Sequence, residues 1–247
     1  MSSYEYSSQA HQTLADTRDK DLTRYQLRQW GFVIIRATYS SESKWAEFLA
    51  IVDDCIKFWW FHPKNEAHSD LYDKHVMTVL EDAATLSDAN LSLTARVFAD
   101  WVNSPQAQAE REGTKINDES MYSSRYHFYI HVDGATIEQV LDQHAKRTPV
   151  PENQSYLRSH YLYENKNLFT VKVVNAEQVM MYQEEMIAEQ GPDANINVVE
   201  EEVEEEEELR GMVKRVRIFQ IPELYAVLGD SLDMWYNLYT RDQVCEV

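Results

Sequence analysis

The stretch "WGFVIIRATYSSESKWAEFLAIVDDCIKFWW" changes its apolar period halfway along, and that change suits a strand that feeds a helix. Gly31 to Tyr39 is a run of β-branched and apolar residues that suits a buried strand. From Ser41 onward the apolar residues Trp45, Phe48, Leu49, Val52 and Ile56 recur every three or four positions, with Ser41 or Ser43 able to cap. That spacing predicts an amphipathic helix.

The same reading extends along the chain. Residues 61–79 are turn-rich and polar and read as a long connection, and "LSLTARVFADWVNS" reads as a helix with Leu93, Val97 and Trp101 along one face. A second strand lies in "RYHFYIHVD", Arg125 to Asp133, with a helix, "GATIEQVLDQHAKR", launched directly from it. "LFTVKVVNA" and "GMVKRVRIFQI" supply a third and fourth strand, and "SLDMWYNLYTR" a short helix or turn. The expected fold is α+β or α/β, a single mixed sheet of about four strands with helices packed on it. Residues 1–25 are Ser-rich and without period, a flexible arm; 26–247 form one globular domain. Within it a glutamate-rich segment at about 186–210 has too much self-repulsion to pack, which predicts an acidic loop.

Charge narrows the partners. Lys and Arg total 23 against 42 Asp and Glu, a formal −19, and setting aside the eight glutamates at Glu200–Glu202 and Glu204–Glu208 still leaves −11. Such a field repels phosphate backbones and attracts cations, which argues against DNA. No window approaches the roughly 18 apolar residues of a membrane span, and the first residues lack a basic and apolar leader, so no membrane partner and a cytoplasmic location are expected. Cys55 and Cys245 are too few and too far apart for a disulfide framework.

Candidate chemistry centres on "RYHFYIHVD". Strand alternation sends Tyr126, Phe128, Ile130 and Val132 to one face and His127, Tyr129, His131 and Asp133 to the other, ~7 Å apart per step. Three readings follow. His131 and Asp133 are two ligands of a facial triad in a non-haem iron oxygenase, which needs a second histidine from elsewhere. Alternatively the row is the polar solvent face of an antiparallel strand, or it faces a substrate without metal, with His131 or His127 as acid or base. His62, His68 and His75, spaced by six and seven, suit neither a strand face nor a helical turn and read as loop histidines. Only six glycines are present and no phosphate-cradling motif occurs, which sets nucleotide enzymes aside. "FWWFHP", Phe58 to Pro63, reads as core packing at a helix end. Arg36 is a charge inside a buried strand and so needs a carboxylate or a ligand, which makes it a substrate-binding candidate alongside Asp133 and His127.

The strings "WGFVIIRATYSSESKWAEFL", "HVDGATIEQVLD", "VKVVNA", "RGMVKRVRI" and "WYNLYTR" resemble a set of uncharacterised fungal proteins over roughly residues 25–240. The pattern of that set is W-G-F-V-I-x-R-x-T-Y, a V-D strand end, a V-x-V strand and a G-x-x-K-V strand. This chain departs from it at Ala37 and Met212. The set looks like the arginine-containing cyclodipeptide synthases of fungal secondary metabolism. The resemblance implies an aminoacyltransferase that joins arginine to a second amino acid, with arginyl-tRNA and another aminoacyl-tRNA as partners. No cofactor is implied, because the aminoacyl ester is already activated. The family's acidic motif has its nearest equivalent in "EEVEE", so Glu201, Glu202 and Glu205 become the arginine-side carboxylates, with His131 and Tyr129 as acid and base. Lys214, Arg215 and Arg217 of "VKRVRI" are then a basic patch for RNA, or simply an exposed strand edge. The alternative from another class is a non-catalytic interaction protein whose aromatic helix and glutamate loop bind a basic partner.

Overall fold

A computed structural model describes residues 29–60, 73–112, 124–146, 170–191 and 212–218, with Ile221, Leu224, Tyr225, Leu228 and Trp235. Among these residues the chain runs β1 (Val33–Arg36), α1 (Glu42–Trp60), β2 (Thr78–Leu80), α2 (Ala83–Leu86), α3 (Leu91–Val102), α4 (Pro105–Arg111), a single 3₁₀ turn (Ser124–Tyr126), β3 (Phe128–Val132), α5 (Gly134–Ala145), β4 (Thr170–Asn175), α6 (Ala176–Gln190) and β5 (Val213–Arg217). The strands form one mixed sheet in the order β2-β1-β3-β4-β5. β1 pairs parallel with both β2 and β3, whereas β3–β4 and β4–β5 are antiparallel. The fold is α+β, as the alternation of periods predicts.

Helices cover both faces of the sheet. Trp45, Phe48, Val52 and Ile56 of α1 and Ile137 and Val140 of α5 pack against Ile34, Phe128, Ile130, Val132, Val171 and Val173. Leu91, Ala95, Phe98 and Trp101 of α3 and Val179 of α6 pack against Val33, Ile35, Tyr129 and Val174 on the opposite face. Every residue of β1, β3 and β4 is buried. β3 therefore has no solvent face, and the reading of this row as a polar solvent face is overturned for Tyr129 and His131 by the second helical layer, while His127 and Asp133, just outside the strand, are half-buried.

Local chemistry sets the element boundaries. Ser41 caps α1, its hydroxyl accepting from the Lys44 amide at 3.3 Å. Asn90 and Asp133 cap α3 and α5, accepting from the Leu93 and Thr136 amides. Ser104 caps α4 with Pro105 in its first turn.

Four sequence expectations change. A fifth strand, β2, lies in the segment read as connection, where only three residues and no alternation announce it. The buried stripe of α3 is Leu91, Thr94, Ala95, Phe98 and Trp101, rotated from Leu93 and Val97, which are only half-buried. α6 continues to Gln190, past the expected start of the acidic loop. Its Glu, Gln, Met and Ala residues are strong helix formers, and Glu184, Glu185 and Glu189 stay exposed in the helix. Lastly, "VKRVRI" is not an exposed basic edge: Lys214 and Arg217 are buried and Arg215 alone of the three is exposed. Lys214 donates to the Trp235 carbonyl and lies 4.7 Å from the centre of that indole ring.

Gly31 and Arg125 tie the start of the sheet together. Trp30 donates to the Lys74 carbonyl and accepts from Val76, which brings Gly31 against the backbone of Val76 at φ +120°. Arg125, fully buried, donates to the Gly31 carbonyl at 2.8 Å, to Thr78 Oγ1 at 2.5 Å and to Glu110 at 3.0 Å. A Cβ at position 31 would stand 2.7 Å from the Val76 carbonyl oxygen. Gly31→Ala combines that clash with a backbone conformation closed to L-residues, and should cost at least ~2 kcal/mol of unfolding free energy in urea denaturation. An unchanged midpoint would show that this crossing is not fixed by Gly31.

Candidate functional site

Strand order reverses at β1 and β3, since the chain leaves β1 toward β2 on one side and β3 toward β4 on the other. In open sheets of this kind ligands bind outside the carboxyl ends of such strands. At that end sit Arg36, His131 and Asp133, the first turn of α3, the start of α5, and Lys172 near the start of β4.

His131 is 4% exposed, on the α3 side of the sheet. Its Nδ1 lies 3.3 Å from Thr94 Oγ1. That hydroxyl also lies 3.1 Å from the carbonyls of Asn90 and Leu91, which can only accept. Where the Thr94 proton is directed at a helix carbonyl, its oxygen accepts from Nδ1–H, and in that tautomer Nε2 of His131 keeps its lone pair. Among the described residues Nε2 has no hydrogen-bond partner. Burial lowers the His131 pKa to about 4, the Asp133 carboxylate working the other way, so the ring is neutral at physiological pH.

Tyr129 supports this arrangement from below. It is fully buried, with its hydroxyl 2.9 Å from Thr94 Oγ1 and 3.3 Å from the Leu91 carbonyl, and its ring stacked on Phe98 at 5.1 Å. Burial pushes its phenol well above the ordinary value. Tyr129 thus positions Thr94, which in turn meets His131.

Asp133 performs two tasks at once. Oδ1 accepts from the Thr136 amide at 2.8 Å and Oδ2 from Lys172 Nζ at 2.6 Å. Burial raises its pKa, but the Lys172 ammonium and the Thr136 amide outweigh that and bring it to about 2. Lys172 is a charge inside a β-branched run, and the rule that singles out Arg36 applies to it equally. Thr94 has no such signal, because its partners lie 35 and 37 residues away.

Arg36 lies apart from this row. It points to the α1 side, between the rings of Tyr39 and Trp45 at 4.4 and 4.9 Å. Its guanidinium donates to both oxygens of Glu42 at 3.0 and 2.6 Å, to Glu81 at 3.3 Å and to the Thr38 carbonyl at 2.8 Å. The carboxylate that a buried strand arginine requires is thus supplied by the chain itself, and Glu42 is held below the usual carboxylate range. His127 lies at the opposite end of β3, half-buried, its pKa lowered by burial and partly restored by Glu177. The structure thus brings His131, Tyr129 and Asp133 together and leaves Arg36 and His127 elsewhere. Glu201, Glu202 and Glu205 lie outside the described residues, as do His62, His68 and the side chains of "FWWFHP". His75 packs on Trp30 at 4.5 Å between ring centres.

Among the described residues no three His, Cys, Asp or Glu side chains gather to hold a metal ion, and no helix is long and apolar enough to cross a membrane. Comparison of the chain with protein-family models, with curated proteins and with solved structures finds no match in any of the three.

The His131 environment sets a pH dependence. Between about pH 6.5 and 4 the unfolded chain takes up a proton that folded His131 refuses, so stability falls as pH falls through that window, by on the order of 3 kcal/mol. Below about pH 4, protonation of Asp133 removes its ion pair and a second loss follows. In His131→Gln the first slope should flatten and the second persist, read from urea denaturation at pH 7, 5.5, 4 and 3. Parallel curves for both proteins would show that His131 is not held neutral.

Proposed function

We propose that the chain is an aminoacyl-transfer enzyme of the cyclodipeptide type, acting in the cytoplasm, with its reacting groups at the carboxyl ends of β1 and β3. The observation that supports this reading is the uncommitted Nε2 of a neutral His131, oriented through Nδ1 by Thr94. The amine of one aminoacyl ester attacks the carbonyl of the other, giving an amide and releasing a tRNA hydroxyl. His131 Nε2 accepts the proton leaving the amine and returns it to the departing oxygen. A second attack within the dipeptidyl ester closes the ring in the same way. With the ring 4% exposed, the reacting group enters the layer between sheet and helices. There the loss of water strengthens each hydrogen bond made to it.

A substrate arginine would require carboxylates and aromatic faces of the kind that hold Arg36, whose own partners are Glu42, Glu81, Tyr39 and Trp45. Glu201, Glu202 and Glu205 are the carboxylates assigned to it.

Expression in cells supplying charged tRNAs, with labelled arginine, should yield a labelled cyclic dipeptide by mass spectrometry. In a purified reaction ribonuclease should abolish it. His131→Ala should lower product at least ~100-fold with the circular dichroism spectrum unchanged. Folded wild-type protein without product would overturn the reading.

A second reading has its own observation. Met181 and Ile187 of α6 are large apolar side chains exposed at 48% and 44%, on a helix that also exposes Glu177, Glu184, Glu185 and Glu189. An acidic helix bearing two apolar contacts suits a basic, amphipathic partner segment. Under that reading, binding of a basic amphipathic peptide survives His131→Ala and is lost in Met181→Glu.

A further inference from the structure

Strand register sets a charged pair beside the His131 imidazole. β3 and β4 pair His131 directly with Lys172, so the two side chains leave neighbouring strands on the same face, the one covered by α3 and α6. Asp133, two residues beyond His131, emerges on that face as well, and its Oδ2 accepts from Lys172 Nζ at 2.6 Å. An imidazole, an ammonium and a carboxylate thus form one cluster at the carboxyl end of β3. The lysine and the histidine are buried, and the carboxylate is partly open to solvent.

The two charges act on the ring in opposite directions. Burial is the largest influence and favours the neutral ring; the Asp133 carboxylate favours a proton on it, and the Lys172 ammonium opposes one. The other groups on this face are Ile35 of β1, paired with His131, Thr94 of α3, Val179 and Tyr182 of α6, the neutral phenol of Tyr129, and Arg215 of β5, which is paired with Lys172 and exposed. Both oxygens of Asp133 are engaged away from the imidazole, Oδ1 by the Thr136 amide and Oδ2 by Lys172. Without the ammonium, Oδ2 becomes a half-buried anion ~7 Å along the strand from an imidazole, and a proton taken up by that ring would offset its charge.

We infer that Lys172 is a positioning residue for His131: by holding the Asp133 carboxylate it keeps that carboxylate from drawing a proton onto the imidazole. Only a ring without that proton can accept one, so the lysine preserves the state in which His131 serves as a base. The inference deepens the aminoacyl-transfer reading and rests on it for its functional meaning. Its competitor is burial by itself, which would keep the ring neutral whatever side chain stood at position 172.

The test follows the imidazole Hε1 resonance of His131 by proton NMR in the full chain, assigned by its loss in His131→Gln. In the wild type that resonance should not titrate above about pH 5. Lys172→Met keeps the apolar stem and removes the charge; proton binding at His131 should tighten at least ~tenfold, placing the midpoint between about pH 5 and 6.5. Lys172→Arg restores the cation and should titrate as the wild type does. The double variant Lys172→Met/Asp133→Asn removes the carboxylate as well and should return the titration below about pH 5, with asparagine still able to cap α5. No substrate is needed, so the titration can fail where transfer succeeds and hold where no product forms. A Lys172→Met ring that stays neutral down to about pH 5 would overturn the inference in favour of burial alone. So would a raised midpoint that persists in the double variant, or a Lys172→Met chain that does not fold, which would make the lysine a structural cation.

Discussion

Burial of β3 on both faces is the constraint on which the rest of this structure depends. A strand covered on one side tolerates any polar residue on the other, because water satisfies it. Phe128–Val132 has no such side, so Tyr129 and His131 must find partners inside the protein. An unsatisfied buried polar group costs about 1–3 kcal/mol. Thr94 of α3 meets that requirement for both residues at once. One hydroxyl therefore sets the helix against the strand, and it also leaves one imidazole nitrogen uncommitted.

The same requirement explains where the positive charge goes. Several cations are drawn inward, Arg36 to Glu42 and Glu81, Arg125 to Glu110, Lys172 to Asp133 and Lys214 to the Trp235 carbonyl, while Lys44, Lys57 and Lys146 stay at the surface. For aminoacyl transfer this has a physical consequence. With Lys214 and Arg217 inside, Arg215 alone of the three cations of "VKRVRI" is exposed to a phosphate backbone. Arg217 differs from the other buried cations in having an Nε without a hydrogen-bond partner.

Much of the fold was legible because hydrophobic period depends only on local geometry. The switch from β-branched run to three-four spacing at Ser41, the strands at Phe128 and Thr170, and the launch of α5 straight from β3 all follow from residues within a few positions of each other. β2 escaped because three residues carry no period. α6 escaped because charge repulsion was weighed above the helix propensity of its Glu, Met and Gln residues. The site was half legible: His131, Tyr129 and Asp133 do lie together, and the same rule that picked out Arg36 applied to Lys172.

The sequence alone determined the strands β1, β3, β4 and β5 and the helices α1, α3 and α5, and that two imidazoles, a phenol and a carboxylate alternate along the stretch from His127 to Asp133. It could not determine whether their face was wet, since that depends on the packing of α3 and α6, elements about 35 residues before and 45 after. Nor could it determine that Arg36 would be paired and Arg217 left with an unpaired Nε, though each is an arginine at a strand end. A charge is neutralised by whatever the tertiary fold brings within hydrogen-bonding distance, and the guanidinium of β1 was given the two carboxylates of Glu42 and Glu81.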